Sequence, residues 1–442
     1  MDQPISIFDY LPLAALKPDP ANPRSHSKRQ IRAIADSIEA FGFNAPILIN
    51  SEKQIVAGHG RLAAAKLLGL EKVPTVNLRH LTAAQTKAYM IADNKLNDLS
   101  IFDEKALAAV LKDLSAISLE FDVEATGFAI PEIDKRIHCL DGDMDLDDAD
   151  EIRIEQGPAI TQPGDVWVLG KHRVACGDAL DPGIYEAVLK GSTAHAVFAD
   201  FPYNLKVNGV VSGNGKIRHR EFAMASGEMT RGEFATFLSN IFKNLKSRLS
   251  EGALVYACMD WRSLEELSAA ARGNGLETAN LCVWVKTNGG LGSFYRSQHE
   301  LIYVFRNGHA PHRNNVQLGR FGRNRTNVWN YPGANVFAGG ERNRLLKLHP
   351  TVKPLRLVAD AILDCTAPGQ TVLDCFLGSG TTVLAAERTG RIAAGIEMDP
   401  LYVDTTVRRW QEMTGDNALH SSGEPFNSLM KTRTISSGVD ET

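Results

Sequence analysis

Apolar positions recur along the chain with two periods, and the change from one to the other marks its parts. Between residues 30 and 40, Ile31, Ile34, Ala35 and Ile38 share one helical face, and Gly42 stands where a helix would stop. Residues 46–49 and 54–57 are short apolar runs around a polar turn, which predicts two strands. Gly58-His59-Gly60-Arg61 opens a second predicted helix that ends near Gly69. A strand over 73–78 and a helix over 82–96 follow. From 164 to 415 the pattern alternates. Strands are predicted at 166–169, 196–199, 253–257, 282–285, 301–305, 371–373 and 393–396. Helices are predicted over 233–249, with Phe234, Phe237, Leu238, Ile241, Phe242 and Leu245 on one side, and over 355–363. Such alternation implies an α/β fold, a sheet with helices on both faces, preceded here by a small α+β unit.

The intervening stretch, 138–163, contains Asp141-Gly142-Asp143-Met144-Asp145-Leu146-Asp147-Asp148 and has too few apolar side chains to build a core. It reads as an acidic linker. No glutamate closes it as a calcium loop, so no metal site is expected. The division is therefore 1–137, linker 138–163, large domain 164–415, and a tail over 416–442 whose low apolar content predicts disorder. Six cysteines without a CxxC pair suit buried thiols in a reducing compartment. No apolar run is long enough for a bilayer, and the start, Met1-Asp2-Gln3-Pro4, has no signal-peptide pattern, which predicts a cytoplasmic protein. A net charge of −4 does not mark a nucleic-acid binder. The sum conceals segregation, because 206–220 and 309–325 are locally basic.

Two segments carry chemistry. In Thr371-Val372-Leu373-Asp374-Cys375-Phe376-Leu377-Gly378-Ser379-Gly380-Thr381-Thr382 an apolar strand ends in an acid and a Gly-rich turn leads into a helix. Glycines there let a ligand approach the backbone, and Glu397, ending the next strand, is placed for ribose hydroxyls. In Ala196-Val197-Phe198-Ala199-Asp200-Phe201-Pro202-Tyr203 a second apolar strand delivers Asp-x-Pro-Tyr to the sheet's carboxyl edge, where open α/β sheets bind ligands.

These residues resemble the amino-group DNA methyltransferases. Asp200-Phe201-Pro202-Tyr203 is similar to their (D/N/S)PP(Y/F/W) motif, with Phe201 in place of the usual proline. Phe376-Leu377-Gly378-Ser379-Gly380 is similar to their FxGxG motif, and Leu348-His349-Pro350-Thr351-Val352-Lys353-Pro354 to the segment before it. Residues 165–173 and Cys176-Gly177-Asp178-Ala179 resemble the family's entry strand and GD element. The order of motifs is that of the β class. The resemblance implies a Rossmann-like methyltransferase sheet and transfer from S-adenosylmethionine to N6 of adenine in double-stranded DNA, without a metal. Asp200, Pro202 and Tyr203 would be catalytic. Asp200 and a backbone carbonyl would accept the amino hydrogens, and Tyr203 would stack on the flipped base. Asp374, Phe376, Gly378, Gly380 and Thr381 would surround the methionine part of the cofactor, Glu397 the ribose, Asp178 the adenine side and Lys353 the cofactor carboxylate. Cytosine N4 is the alternative target. A DNA-binding regulator with an inactive transferase domain is the alternative of another class. Enzymes of this class are often homodimers.

Two irregular stretches are candidate DNA contacts. One is the long loop over 206–228. The other, within 306–346, interleaves Arg313, Arg320, Arg323, Arg325, Arg342 and Arg344 with Phe321, Trp329, Tyr331 and Phe337, and is where the resemblance places target recognition. Residues 10–99 resemble the ParB N-terminal domain, whose fold is shared with sulfiredoxin, through Asn22-Pro23-Arg24, Pro46-Ile47-Leu48-Ile49, Ile55–Ala57 with Gly58-His59-Gly60-Arg61, and Val73-Pro74-Thr75-Val76. That resemblance implies a phosphate site at Gly58, His59, Gly60 and Arg61, with CTP or ATP as candidate ligands. His59 stands where sulfiredoxin has its catalytic cysteine.

Overall fold

The computed structural model describes residues 7–97, 102–116, 121–141, 157–204, 228–286, 295–319, 325–331 and 353–437. The chain forms two compact units, Met1–Asp141 and Gly142–Thr442. The acidic run after Asp141 and the 206–228 loop up to residue 227 lie outside the described residues, as do 320–324 and 332–352.

The first unit is a four-stranded sheet with helices. Its strands are β1 (Ile7–Pro12), β2 (Ile47–Ile49), β3 (Ile55–Ala57) and β4 (Lys72–Asn77), in the order β1-β4-β2-β3. Helix α1 (Lys28–Phe41) starts at Ser27, whose side chain accepts from the Gln30 N–H, and ends at Gly42, which takes φ 84°. Its predicted apolar face buries Ala35 fully against the following helix, α2 (His59–Leu67), and leaves Ile31, Ile34 and Ile38 half-buried. The core is Leu16, Ile47, Ile49, Ile55, Leu62, Ala65 and Val73. Helices α3 (Ala83–Asn97), α4 (Glu104–Ala116) and α5 (Ile130–Asp141) complete the unit. Helix α5 reaches into the stretch expected to be linker.

The second unit is a ten-stranded sheet, β11-β9-β10-β8-β7-β12-β13-β6-β5-β14. Its centre is parallel: β8 (Leu249–Met259), β7 (Ala194–Asp200), β12 (Thr371–Asp374), β13 (Ile392–Glu397) and β6 (His172–Cys176) run in one direction. Alternation along β7 explains the layers. Val197 and Ala199 join a core with Phe234, Phe237, Leu238, Ile241 and Phe242 of α7 (Arg231–Lys246). Ala196 and Phe198 face the other way, onto Leu357, Val358, Ala361 and Ile362 of α9 (Leu355–Cys365). Helices α6 (Pro182–Leu189), α8 (Leu264–Gly273), α10 (Thr381–Arg388) and α11 (Pro400–Thr414) fill out the two faces. β9 (Leu276–Val285) and β10 (His299–Asn307) continue the sheet antiparallel, and β11 (Val328–Asn330) closes that side.

Two expectations about chain ends are corrected. Residues 416–437 are ordered: β14 (Leu419–His420) pairs with β5 (Val166–Leu169), and α12 (Phe426–Ser437) buries Phe426 and Leu429. Phe426 packs edge-on against buried Trp167 at 5.0 Å, and Arg433 pairs with Asp165. A few well-spaced apolar side chains suffice because the sheet supplies the rest of the core. Likewise, Ile160 and Thr161, inside the stretch read as linker, are buried. Their backbone amides donate to Asp404 Oδ2 and Oδ1 at 2.7 and 2.9 Å. No helix among the described residues is long and apolar enough to cross a membrane. Five described cysteines are buried and free.

Candidate active site

Each of the five central parallel strands ends at one sheet edge, and each carries an acid at or just past its end. These are Asp260 after β8, Asp200 on β7, Asp374 on β12, Glu397 on β13 and Asp178 after β6. The register Asp374↔Gly395 and Glu397↔Cys176 sets Asp374, Glu397 and Asp178 side by side. The pairing Asp200↔Cys258 sets Asp200 on the neighbouring side of β12.

The Gly-rich turn is built around Asp374 and Glu397. Asp374 accepts from the Phe376 amide at 3.0 Å and from the Thr382 hydroxyl at 2.6 Å. Glu397 accepts from the Gly378 and Asp399 amides at 2.7 and 2.9 Å. Burial pushes both carboxyls up, each to about 7, against the pull of these hydrogen bonds. The two glycines do different work. Gly378 takes φ 56° and a Cβ there would meet nothing, so its surroundings are open. Gly380 takes φ 88°, and a Cβ would lie 2.5 Å from Thr406 of α11, so it serves close helix packing. Thr381 is buried at the start of α10. Phe376 is half-buried, and Asp178 accepts from the Leu180 amide at 2.8 Å.

Asp200 sits in a network of charges. Its Oδ1 accepts from the Tyr203 hydroxyl at 2.9 Å, and its Oδ2 from the Lys353 ammonium at 2.6 Å. Lys353 is also 3.0 Å from Glu300, whose other oxygen takes Lys286 at 2.5 Å. Two carboxylates and two ammonium groups thus alternate. Burial alone would lower Lys353, but Asp200 and Glu300 raise it further than burial depresses it. Burial likewise works against ionisation of Glu300, and its two lysines hold it well below the usual carboxylate range. Burial raises Asp200, opposed by Lys353. Lys353, expected at the cofactor carboxylate, bonds Asp200, the carboxylate expected to be catalytic. Glu300 and Lys286 escaped the sequence reading. Their only local signal is a pair of charges at the ends of apolar strands, and their partners are set by the β9–β10–β8 register.

Phe201 has a structural explanation. It is buried, stacked on Phe242 at 5.4 Å and tilted against Phe376 at 5.2 Å, so its side chain belongs to the core beneath the edge. Asp200 before it and Tyr203 after it stay at the edge, joined by their hydrogen bond. Pro202 is half-buried, and Asn204, at φ 52°, bonds the backbone of Met229 through both its side-chain atoms.

Two other expectations change. Arg325, Trp329 and Tyr331, read as DNA contacts, are committed to the fold. Arg325 pairs with Asp364 at 2.7 Å, lies 4.8 Å above the Trp329 ring and donates to the Tyr331 hydroxyl at 2.6 Å; Tyr331 in turn donates to Asp360. In the first unit, the Arg61 guanidinium donates to the Ala45 and Pro46 carbonyls. His59, lowered by burial, accepts from the Asp19 amide at 3.2 Å. Gly58 takes φ 103° beside Ile47, and Gly60 lies against Ile34 and His26. This turn is engaged with its own protein surroundings, and its geometry adds no support to the phosphate reading. Among the described residues no group of side chains could hold a metal.

An α/β sheet with a Gly-rich turn, a carboxylate on the next strand and an Asp-x-Pro-Tyr paired with a buried lysine on the strand beside it defines a group-transfer enzyme of the nucleotide-cofactor kind. The DNA methylase model matches residues 194–408, the ParB N-terminal domain model 3–95, and the ParB-methyltransferase HTH domain model 105–163. The chain belongs to the N6/N4 DNA methylase family, with a ParB N-terminal domain in front. The HTH match overlaps the stretch read as linker. Over 76 residues, 17% of this chain and 87% of the relative, it is 42% identical to the ParB-like nuclease domain-containing protein YnaK of Escherichia coli. Over 229 residues, 49% of this chain and 81% of the relative, it is 24% identical to the type II methyltransferase M2.MboI of Moraxella bovis. Among solved structures it resembles the cytosine-N4-specific PvuII DNA methyltransferase, at 18% identity and TM-score 0.42, covering 54% of this chain and 86% of that one.

Proposed function

We infer that this enzyme methylates the exocyclic N6 of adenine in duplex DNA, with S-adenosylmethionine as the donor. The observation that carries the reading is the adjacency, on neighbouring strands, of Asp200 held in its charge network and the Gly378 turn with Glu397. The residues fit the cofactor. The space beside Gly378 is open, and Asp374 and Glu397 are buried carboxyls suited to a cation and to hydroxyl donors. Asp178, Asp374, Phe376, Gly378, Gly380, Thr381 and Glu397 would hold it. When bound, it supplies a methyl group on a cationic sulfur.

The protein's part is orientation and electrostatics. An adenine amino group is a poor nucleophile because its lone pair is delocalised into the ring. Asp200 has lone pairs left beyond those taken by Tyr203 and Lys353, and can accept one amino hydrogen. That favours a pyramidal nitrogen with its lone pair free for the methyl. The nitrogen gains the methyl and gives up one proton, and an Asp200 oxygen stands ready to take it. No thiol is needed, and burial holds Cys176 and Cys365 at about 12. The aspartate at position 200 favours adenine, since the resembling N4-cytosine enzymes more often carry serine there.

The test is incubation with labelled cofactor and mixed-sequence duplex DNA, followed by digestion to nucleosides. N6-methyladenine is expected, and N4-methylcytosine or no labelled nucleoside would overturn the reading. Asp200→Ala should abolish transfer and leave cofactor binding within about threefold, about 0.6 kcal/mol.

A further inference from the structure

We propose that Trp261, backed by Arg262, stacks on a base of the DNA beside the one undergoing transfer. The proposal rests on the reading of the Asp200 edge as the transfer site.

Register places Trp261 at that edge. Asp200 pairs with Cys258, so the chain leaving β8 at Met259 emerges alongside the chain leaving β7 through Pro202 and Tyr203. β10 runs antiparallel to β8 with Leu301 opposite Met259, so the chain entering it, with Tyr295 and Arg296, emerges at the same edge. Trp261 stands among residues that face the substrate side of the sheet.

Its exposure is unlike that of the other tryptophans. Trp167, Trp284, Trp329 and Trp410 are at most 5% exposed, whereas Trp261 is 55% exposed. The fold also holds it firmly. Asp260 caps the short 3-10 turn Trp261–Ser263, accepting from the Arg262 amide at 3.0 Å and from its guanidinium at 3.3 Å. The Arg262 guanidinium lies 5.1 Å from the Trp261 ring centroid. An indole presented to solvent with a cation over it on a capped turn has the two features that nucleic acid rewards, a stacking plane and a charge for the phosphates. The reaction also creates the need. A base that leaves the helix gives up its stacking, and an aromatic side chain at the vacated step offsets part of that cost.

Because the other four tryptophans are buried, Trp261 dominates the emission that solvent quenchers reach. The experiment titrates the full chain, with S-adenosylhomocysteine present, with mixed-sequence duplex DNA. It follows tryptophan emission and acrylamide quenching, and fluorescence anisotropy of a labelled duplex reports binding independently. DNA should quench the accessible emission and cut acrylamide quenching about threefold in the wild type, with no such change in Trp261→Phe. Trp261→Ala should raise the KM for DNA about tenfold, the effect of one lost stacking partner, while the cofactor Kd holds and Trp261→Phe recovers most of the loss. Binding seen by anisotropy with unchanged quenching, or an unchanged KM in Trp261→Ala, would overturn the proposal. Failure of the wild type to methylate any nucleoside would strike the transferase reading instead, and protection of Trp261 would still be decided by the fluorescence.

Discussion

Replacing Lys353 by methionine separates two roles for this lysine. In the structure it lies between Asp200 at 2.6 Å and Glu300 at 3.0 Å and is 5% exposed. At an effective dielectric of about 20, unit charges 2.6 Å apart attract by roughly 6 kcal/mol. If relaxation and entering water return half of that, about 3 kcal/mol is lost from ionised Asp200, which corresponds to about two pH units. Methyl transfer needs the carboxylate, and Lys353→Met makes protonation of Asp200 easier. The acid limb of kcat/KM should therefore move up by about two pH units, with activity recovering toward alkaline pH. Stability follows the same sign. A carboxyl whose folded pKa lies above its unfolded value stabilises the fold below the unfolded value and loses that contribution as pH rises through the folded one. The variant should thus be relatively most stable at acid pH. Measuring labelled methyl transfer from pH 5 to 10, with thermal unfolding at each pH, tests both. A variant whose acid limb stays in place while its KM for the cofactor rises would refute this reasoning and return Lys353 to the cofactor carboxylate.

Phe201→Pro restores the residue usual in the family but empties the space against Phe242 and Phe376; it should cost about 3 kcal/mol in urea unfolding, by analogy with large-to-small core changes. Removing residues after Gly415 strips Phe426 and Leu429 from Trp167 and its neighbours, about 2 kcal/mol for each side chain, and should lower the melting temperature measurably. Asp374 and Glu397, pushed up to about 7 by burial, favour the fold most below the unfolded carboxylate range, and that contribution fades as pH rises through 7. A cationic cofactor reverses their preference, so its binding at pH 7 should release about one proton, seen in calorimetry as a dependence of the heat on buffer ionisation enthalpy.

What was legible in the sequence was what is local. The strand at 196–199 announces itself because both its faces are buried, giving an unbroken apolar run followed by the charge of Asp200. The turn at 376–380 is legible because glycines with positive φ must sit there, at Gly378 and Gly380. What was not legible depends on partners far away in the chain. Lys353 meets Asp200 across 153 residues, and Ile160 meets Asp404 across 244. Phe201 looks like a flaw in a motif until Phe242 and Phe376 are seen beneath it. β1 went unread because it is an edge strand whose Phe8 and Tyr10 are exposed, so its alternation marks no buried face.

The edge also shows why its two ends differ in charge. On the side proposed for the cofactor, Asp178, Glu397 and Asp374 accept from backbone amides and the Thr382 hydroxyl, and the donor carries positive charge. On the side proposed for the base, Asp200 and Glu300 are matched by Lys353 and Lys286, so the formal charges of the group sum to zero. A pair of uncompensated carboxylates there would face the phosphates of the duplex and repel them. Deleting one would leave a weaker hydrogen-bond acceptor for the amino group. The alternating quartet meets both demands, pairing the Asp200 carboxyl with a cation and fixing its direction without adding net negative charge where a polyanion would approach.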